Sequence, residues 1–148
     1  MDRPVSSPNF NVRCHVIPNR WVTFFVLNTG DKALEWFHSV LCKDMTESQF
    51  YGDYIPTVLA DFFASDDIDE RDARLPVFVP YLQGSRCSLE QLTASFSGLD
   101  LETTRDKMLV GLIKGNASYH GQHLREVARL VALRPKVMTS GGAPGFTA

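Results

Sequence analysis

The feature that most constrains the fold of this chain is a long amphipathic segment between Leu101 and Leu133. Apolar side chains recur there three or four residues apart, which is the spacing of one helix face. The stripe consists of Met108, Leu109, Leu112, Ile113, Ala117, His120, Leu124, Val127, Ala128 and Val131. This pattern predicts one long helix packed on a core. Because glycine has a low helix propensity, we expect Gly111, Gly115 and Gly121 to weaken it.

Two strand patterns precede this segment near the N-terminus. Residues 10–16 alternate apolar and polar side chains, which is typical of a half-buried strand. Residues 18–20 form a turn signal, and residues 21–27 are an aromatic and β-branched run. We expect the second strand to be covered on both faces, because its apolar residues are consecutive. Together the two segments predict a β-hairpin.

The middle of the chain carries two helical patterns and an acidic stretch. Residues 31–41 have helical spacing, with Asp31 as N-cap or first-turn acid. Residues 46–64 keep the same period, although Pro56 must lie near the helix start or kink it. Residues 65–74 are rich in aspartate and glutamate, and a solvated loop is favoured there over a cation site.

Short strand patterns flank the long helix. Residues 75–80 predict a buried strand bounded by prolines, and residues 81–86 turn away from it. Beyond Pro135, residues 136–139 predict a final strand that leads into a glycine turn at 141–145. Such a turn lets backbone N–H groups approach a phosphate, although a plain surface turn is the alternative. The order of elements predicts an α/β layered domain.

Composition limits the function classes. The 148 residues suffice for one domain, and a net charge of −2 recommends neither nucleic acid nor an anionic membrane as partner. The three cysteines, Cys14, Cys42 and Cys87, are expected to be reduced, small and buried. Without an apolar run of about 18 residues or a signal-peptide core, the sequence predicts a cytoplasmic protein. His120 and His123 could face a metal, but a core histidine is favoured.

Several separated segments are similar to motifs of one enzyme family. Residues 80–86 read Pro-Tyr-Leu-Gln-Gly-Ser-Arg and resemble a Pro-Tyr-Leu-x-Gly-Glu-Arg segment. Residues 94–99 resemble a small-x-apolar-x-Gly-Leu signature, and residues 104–115 follow as its helix does, with Lys107 and Lys114 as departures. Residues 28–37 are similar to a Thr-Gly-Gly-x-x-Leu-x-Trp stretch, and residues 141–143 resemble an adenosine-binding glycine turn. The family is the FGGY carbohydrate kinases, which include xylulokinase, ribulokinase, glycerol kinase and sedoheptulokinase, and the resemblance is to their C-terminal domain.

The resemblance implies an actin-like ATPase fold of the ribonuclease H type, with a mixed sheet packed by helices that include one long C-terminal helix. Residues 10–148 would form the nucleotide-side lobe, truncated at its C-terminal end, and residues 1–9 a flexible N-terminus. ATP and Mg²⁺ are the implied cofactors. The implied nucleotide-binding residues are Thr29, Gly30, Asp31, Glu35, Gly141, Gly142 and Ala143.

Departures from the family pattern leave the function open between three readings. The catalytic aspartate of a Gly-x-x-Asp motif has no counterpart in residues 1–10, Asp31 replaces a glycine, and Pro144 removes an N–H donor. The chain could be a kinase lobe, inactive until a missing N-terminal lobe joins it. It could be a degenerate remnant that acts as a non-catalytic binding module. It could also be an unrelated α/β scaffold. Self-association is a further hypothesis, because an uncovered interface tends to find a partner.

Overall fold

The structure is a computed structural model that describes Pro4, residues 10–85 and residues 90–133. Its first two strands are β1 (Asn11–Cys14) and β2 (Trp21–Phe24), which pair antiparallel with Asn11 opposite Phe24. Asn19 lies in the connecting turn with a positive φ of 60°, a conformation that asparagine adopts more readily than most residues. The predicted hairpin is therefore confirmed. The predicted flexible N-terminus, residues 1–9, falls outside the described residues except for Pro4.

The remaining elements alternate helices with two short strands. In chain order they are α1 (Gly30–Leu41), α2 (Glu47–Gln49), a π-helical turn (Phe50–Tyr54), α3 (Ile55–Phe63), α4 (Ile68–Ala73), β3 (Val77–Val79), β4 (Ser95–Ser97) and α5 (Arg105–Leu130).

The burial expected for β2 is wrong. Val22 is 39% exposed, and the strand ends at Phe24, before the apolar run does. A hairpin of two strands leaves part of its surface open to solvent. Phe25 follows the strand and stacks on His123 of α5, with ring centroids 4.7 Å apart. The apolar run therefore has two parts: residues 21–24 form a strand, and Phe25 contacts the long helix.

The predicted helix over residues 46–64 is present, and a widened turn interrupts it. Thr46 caps its start in a capping box with Gln49. At the π-helical turn the Ile55 N–H donates to the Phe50 carbonyl, five residues back, and Pro56 follows directly. Proline has no N–H to donate and its ring clashes with an α-helical carbonyl four residues earlier. The wider turn relieves that conflict, so the helix continues past Pro56.

The acidic stretch at residues 65–74 contains helix α4, where a loop was favoured. Asp69 and Glu70 lie in its first turn, where negative charge opposes the positive end of the helix dipole. Glu70 also pairs with Arg74, one turn later, at 2.5 Å. Across the described part of the chain, no group of three or more His, Cys, Asp or Glu side chains is arranged to hold a metal ion.

The strands do not form the single mixed sheet that was expected. Among the described residues β1 pairs with β2 and β3 with β4, and both pairs are antiparallel. Pro76 and Pro80 flank β3, and because neither has an N–H to donate, they disfavour extension of the ladder beyond its three residues. β3 is half buried: Phe78 lies in the core and Val77 is 61% exposed. The predicted strand at 136–139 lies outside the described residues.

Helix α5 confirms the long helix and changes the role of two glycines. A Cβ on Gly111 would lie 2.4 Å from the Pro76 carbonyl oxygen, and one on Gly115 would lie 2.4 Å from that of Phe78. These glycines let the helix backbone touch β3. The sequence had indicated that they would only weaken the helix, but the structure shows that they are contact positions. Gly121 has no such contact, since its nearest neighbour is the end of the Arg125 side chain at 3.6 Å.

The core lies between α1, the widened turn, α3, β3 and the first half of α5. Its fully buried side chains include Phe37, Phe50, Leu109 and Leu112. Cys42 is buried as expected, Cys14 is exposed because it ends an open hairpin strand, and Cys87 lies outside the described residues. His120 is exposed, so the preference for a core histidine is wrong. No helix in the described ranges is long and apolar enough to cross a membrane.

Candidate functional site

Four of the predicted site residues lie where the loop after the hairpin enters α1. Thr29 is the N-cap residue and is completely buried. Its hydroxyl donates a hydrogen bond of 2.8 Å to the Pro80 carbonyl, and its own carbonyl accepts the Ala33 N–H at 2.8 Å. Thr29 therefore ties the start of α1 to the end of β3. Asp31 is a first-turn acid and not the N-cap.

The start of α1 has the geometry of an anion site. The Thr29 hydroxyl donates to Pro80 and accepts no hydrogen bond from the first turn, so the N-cap side chain leaves the first-turn amides of the helix uncapped. Gly30 stands beside open space, since a Cβ there would meet no atom within 4 Å. A helix N-terminus carries partial positive charge and directs N–H groups outward, so this end of α1 fits a phosphate.

Of the two carboxylates among these residues, that of Asp31 acts against this fit. Asp31 is exposed in the first turn, where it would repel an incoming phosphate at short range. Glu35 pairs with Lys32 at 2.6 Å, and this hydrogen bond raises the pKa of the Lys32 ammonium. Lys32 therefore balances Glu35, while the carboxylate of Asp31 is the charge most directly opposed to an anion. The residues present fit a nucleotide phosphate through their backbone and oppose it through Asp31.

The structure adds two asparagines to the site. Asn116 of α5 donates its side-chain N–H to the Gly30 carbonyl at 3.5 Å, and thereby contacts the loop directly. The amide oxygens of Asn28 and Asn116 are buried and accept no hydrogen bond within the described residues. Buried acceptors are normally satisfied, so these two oxygens call for a donor from water, ligand or further protein. Sequence analysis missed Asn116; a polar amide beside Ala117 in an apolar stripe was the available signal.

The other half of the predicted site cannot be located. Gly141, Gly142 and Ala143 lie outside the described residues. The structure therefore gives no distance between that turn and α1. The structure therefore brings together Thr29, Gly30 and Asp31, with Glu35 one turn further along α1. Their role in nucleotide binding stays a prediction.

Comparison with solved structures shows what this fold is similar to. No protein-family model matches the sequence, and no curated protein matches it. A xylulose kinase from Rhodospirillum rubrum superposes with a TM-score of 0.61 at 18% identity over 86% of this chain. The fold is related to that of sugar kinases. A xylulose kinase from Brucella ovis gives a TM-score of 0.58 at 21% identity over 82% of the chain.

The match covers a limited part of each enzyme. The chain spans only 24% and 23% of the length of the two kinases. The likeness supports the expected actin-like ATPase architecture and the relation to a kinase fold. It argues against an unrelated α/β scaffold.

Proposed function

We propose that this chain is the nucleotide-side lobe of an ATP-dependent carbohydrate kinase. The reaction would transfer a phosphoryl group from ATP to a hydroxyl of a sugar or polyol. The observation that carries the proposal is the uncapped start of α1, with Gly30 open above it, within a fold related to xylulose kinases. Phosphoryl transfer depends on positioning and on stabilising charge, and a helix N-terminus contributes to both.

In this proposal the backbone of Gly30 to Lys32 holds phosphate oxygens, and residues 141–143 approach the adenosine. Bound ATP would supply the phosphoryl group, and Mg²⁺ would neutralise part of its charge. Thr29 would keep the amides in place, because its own hydroxyl is already bonded to Pro80. The catalytic aspartate and the sugar-binding lobe would come from polypeptide outside these 148 residues. Alone, the lobe is expected to be inactive, and we propose the cytoplasm as its compartment.

A second function is favoured by Asp31. An exposed carboxylate in the first turn of α1 stands where the resemblance places a glycine beside the phosphates. A kinase lobe that has lost nucleotide binding would tolerate such a charge. The chain would then be a degenerate remnant that acts as a non-catalytic binding module.

Calorimetric titration with Mg-ADP separates the two functions. If α1 holds the phosphates, Asp31→Asn removes a repulsion of roughly 1 kcal/mol or more, and binding should tighten about fivefold or more. Asp31→Gly should bind at least as well as the parent chain. Asp66→Asn is the matched control, because it removes an exposed acid from the turn before α4 and should leave affinity unchanged. Absence of binding by all four proteins at millimolar nucleotide would contradict the kinase-lobe proposal and support the remnant.

A further inference from the structure

Helices α1, α3 and α5 border an open groove with a volume of about 1170 Å³. Its walls are mostly aliphatic and aromatic, and its apolar residues include Leu34, Ile55, Leu59, Phe63, Val110 and Ile113. Phe63 lines the groove, and its side chain is 66% exposed. A continuous apolar surface of this kind, left open and bordered by charges, marks an interaction site.

We propose that this groove binds an amphipathic helix of a partner, whose apolar stripe is flanked by lysine or arginine. The proposal goes beyond the nucleotide site and does not require it. Three properties of the groove favour this occupant: its length, the chemistry of its walls and the sign of the charge around it.

One wall of the groove matches about three helical turns and the opposite wall about two. One wall runs from Tyr51 through the widened turn to Phe63, which at about 1.5 Å per residue is roughly 18 Å. The opposite wall is formed by the first half of α5, from Val110 to Ala117. The volume exceeds the roughly 300–1,000 Å³ of ordinary small-molecule pockets. A helix that lays residues i, i+3, i+4 and i+7 into such a groove is an established mode of recognition.

The charge at the rim selects a basic partner. The carboxylates that border the groove belong to Asp31, Glu47 and Asp72. Among the described lining residues, the positively charged side chain is that of Lys114. Lys114 is already bound to Asp72, with Nζ 2.5 Å from Oδ2. The remaining carboxylates attract lysine or arginine and repel the head group of a fatty acid or an anionic lipid.

The same charge disfavours a second copy of this chain. A symmetric dimer places the same surface on both sides of the interface. Two acidic rims would then face each other, which costs binding energy. A basic helix satisfies both the apolar walls and the rim.

Peptide binding measured by fluorescence anisotropy tests the charge selection. The probe is a synthetic helix of about 15 residues with leucine at i, i+3, i+4 and i+7 and lysine at the flanks. The comparison peptide has the same leucines and carries glutamate at the flanks. The lysine peptide should bind the full chain at least about tenfold more tightly, which is about 1.4 kcal/mol. Glu47→Lys should reduce this preference, and Glu102→Lys, the same charge change outside the groove, should leave it intact.

A second pair of variants tests the apolar walls. Phe63→Ser should weaken the lysine peptide at least about fivefold, whereas Leu101→Ser, at a fully exposed leucine outside the groove, should not. Both sites are exposed, so both variants should keep the circular dichroism of the parent. Equal affinity for the two peptides, or equal loss from Phe63→Ser and Leu101→Ser, would overturn the proposal. So would a dimer in light scattering that Phe63→Ser dissociates, because a second copy would then fill the groove.

Discussion

Thr29 shows how one side chain can stabilise a loop and also leave a helix end available. At an N-cap, threonine ordinarily accepts a hydrogen bond from the first turn of its own helix. Here the hydroxyl donates to the Pro80 carbonyl, 51 residues away, and the start of α1 has no side-chain cap among the described residues. The loss of a local cap is offset by a buried contact between two elements. The first-turn amides remain available to a ligand.

Removing that hydroxyl should cost stability. Thr29→Val keeps the shape of the side chain and leaves the buried Pro80 carbonyl without this donor, so we expect a loss of about 1–2 kcal/mol in the free energy of unfolding. Thr29→Ser retains the donor and should lose less. Urea denaturation measures both. Thr57→Val, at an exposed threonine on α3, is the control and should change stability by less than about 0.5 kcal/mol. A Thr29→Val protein as stable as this control would show that the Pro80 bond contributes nothing.

At this scale the sequence identifies residue types but not their distant partners. The site at Thr29, Gly30 and Asp31 was predicted from the resemblance of residues 28–37 to a family motif. The partner of Thr29 is far along the chain, and so is Asn116, which contacts the Gly30 carbonyl. No local pattern encodes either contact. For the same reason, spacing alone left Asp31 open as N-cap or first-turn acid.

Among the elements, α5 is the one whose packing depends most on glycines, because they have no side chain to hold the helix away from its neighbour. Gly111 and Gly115 are one helical turn apart and lie against the carbonyls of Pro76 and Phe78, which are two residues apart in β3 and its flank. The close approach brings the helix backbone onto β3 and lets Leu109 and Leu112 reach the core on the neighbouring face. Glycine lowers helix propensity at both positions, and the contact with β3 compensates for it.

Two alanine substitutions in α5 should therefore have opposite effects. Gly115→Ala places a methyl group 2.4 Å from the Phe78 carbonyl oxygen, and we expect a net loss of about 1–3 kcal/mol in unfolding free energy. Gly121→Ala meets only the flexible end of Arg125 at 3.6 Å, so the better helix propensity of alanine should add roughly 0.5–1 kcal/mol. Both are measured by urea denaturation. If Gly115→Ala were also stabilising, the helix would not touch β3 as described.

The elements differ in how far the sequence could predict them. Helices α1 and α5 have regular apolar spacing and end signals, so their existence was predictable. β4 was not predicted, because Ser95-Phe96-Ser97 contains one apolar residue and becomes a strand through its pairing with β3. Ring contact between Phe96 and Phe78, with centroids 4.8 Å apart, stabilises that pairing. Helix α4 is stabilised by an ion pair between Glu70 and Arg74. Its acidic composition alone fits a loop equally well.

For the whole molecule, α5 joins two regions that share no sheet. Its first half packs on β3 and borders the groove, and its second half contacts the chain that follows the hairpin. That second contact is an aromatic cluster in which Phe25 stacks on His123 and lies near His120, with ring centroids 5.7 Å apart. Tyr119 adds a hydrogen bond of 3.4 Å to the Val26 carbonyl.

The histidines should make this attachment sensitive to pH. His120 is exposed as a residue, but its ring lies beside Phe25, and this partial burial lowers its pKa; the neighbouring His123 lowers the pKa further. Protonation therefore costs more in the folded chain than in the unfolded one. Stability should be fully present above the ordinary histidine pKa of about 6.5 and be lost as the pH falls through it toward the lower folded value.

Thermal unfolding at pH 7.5 and pH 5.5 measures this effect. We expect the chain to melt at a lower temperature at pH 5.5, with hydrogen exchange increasing first in the hairpin. His120→Gln should reduce the difference between the two pH values. Lowered pKa values of Asp44, Asp67 and Asp100 place their titration below this window. Identical pH dependence in the parent and His120→Gln would exclude this residue as the cause.

The class of the molecule could be predicted, but its sheet arrangement could not. Separated motifs such as residues 28–37 and 80–86 indicated a sugar-kinase fold, and the likeness to two xylulose kinases supports that relation. The order of strands in a sheet depends on which strand edges pair with one another. Pro76 and Pro80 limit β3 to a short ladder, and Phe25 leaves the hairpin for α5, so the described strands remain two separate pairs. The groove also arises only after α1, α3 and α5 come together, and no single segment of the sequence predicts it.

The widened turn at Phe50–Tyr54 also bears on how this part of the chain can change length over evolution. A π-helical turn accommodates one residue more than an α-helical turn, so this segment could lose one residue and become a regular α-helix. Deleting that residue would restore a regular helix and bring back the clash between the Pro56 ring and the carbonyl four residues earlier. Loss of that residue should therefore be tolerated only where Pro56 is replaced as well.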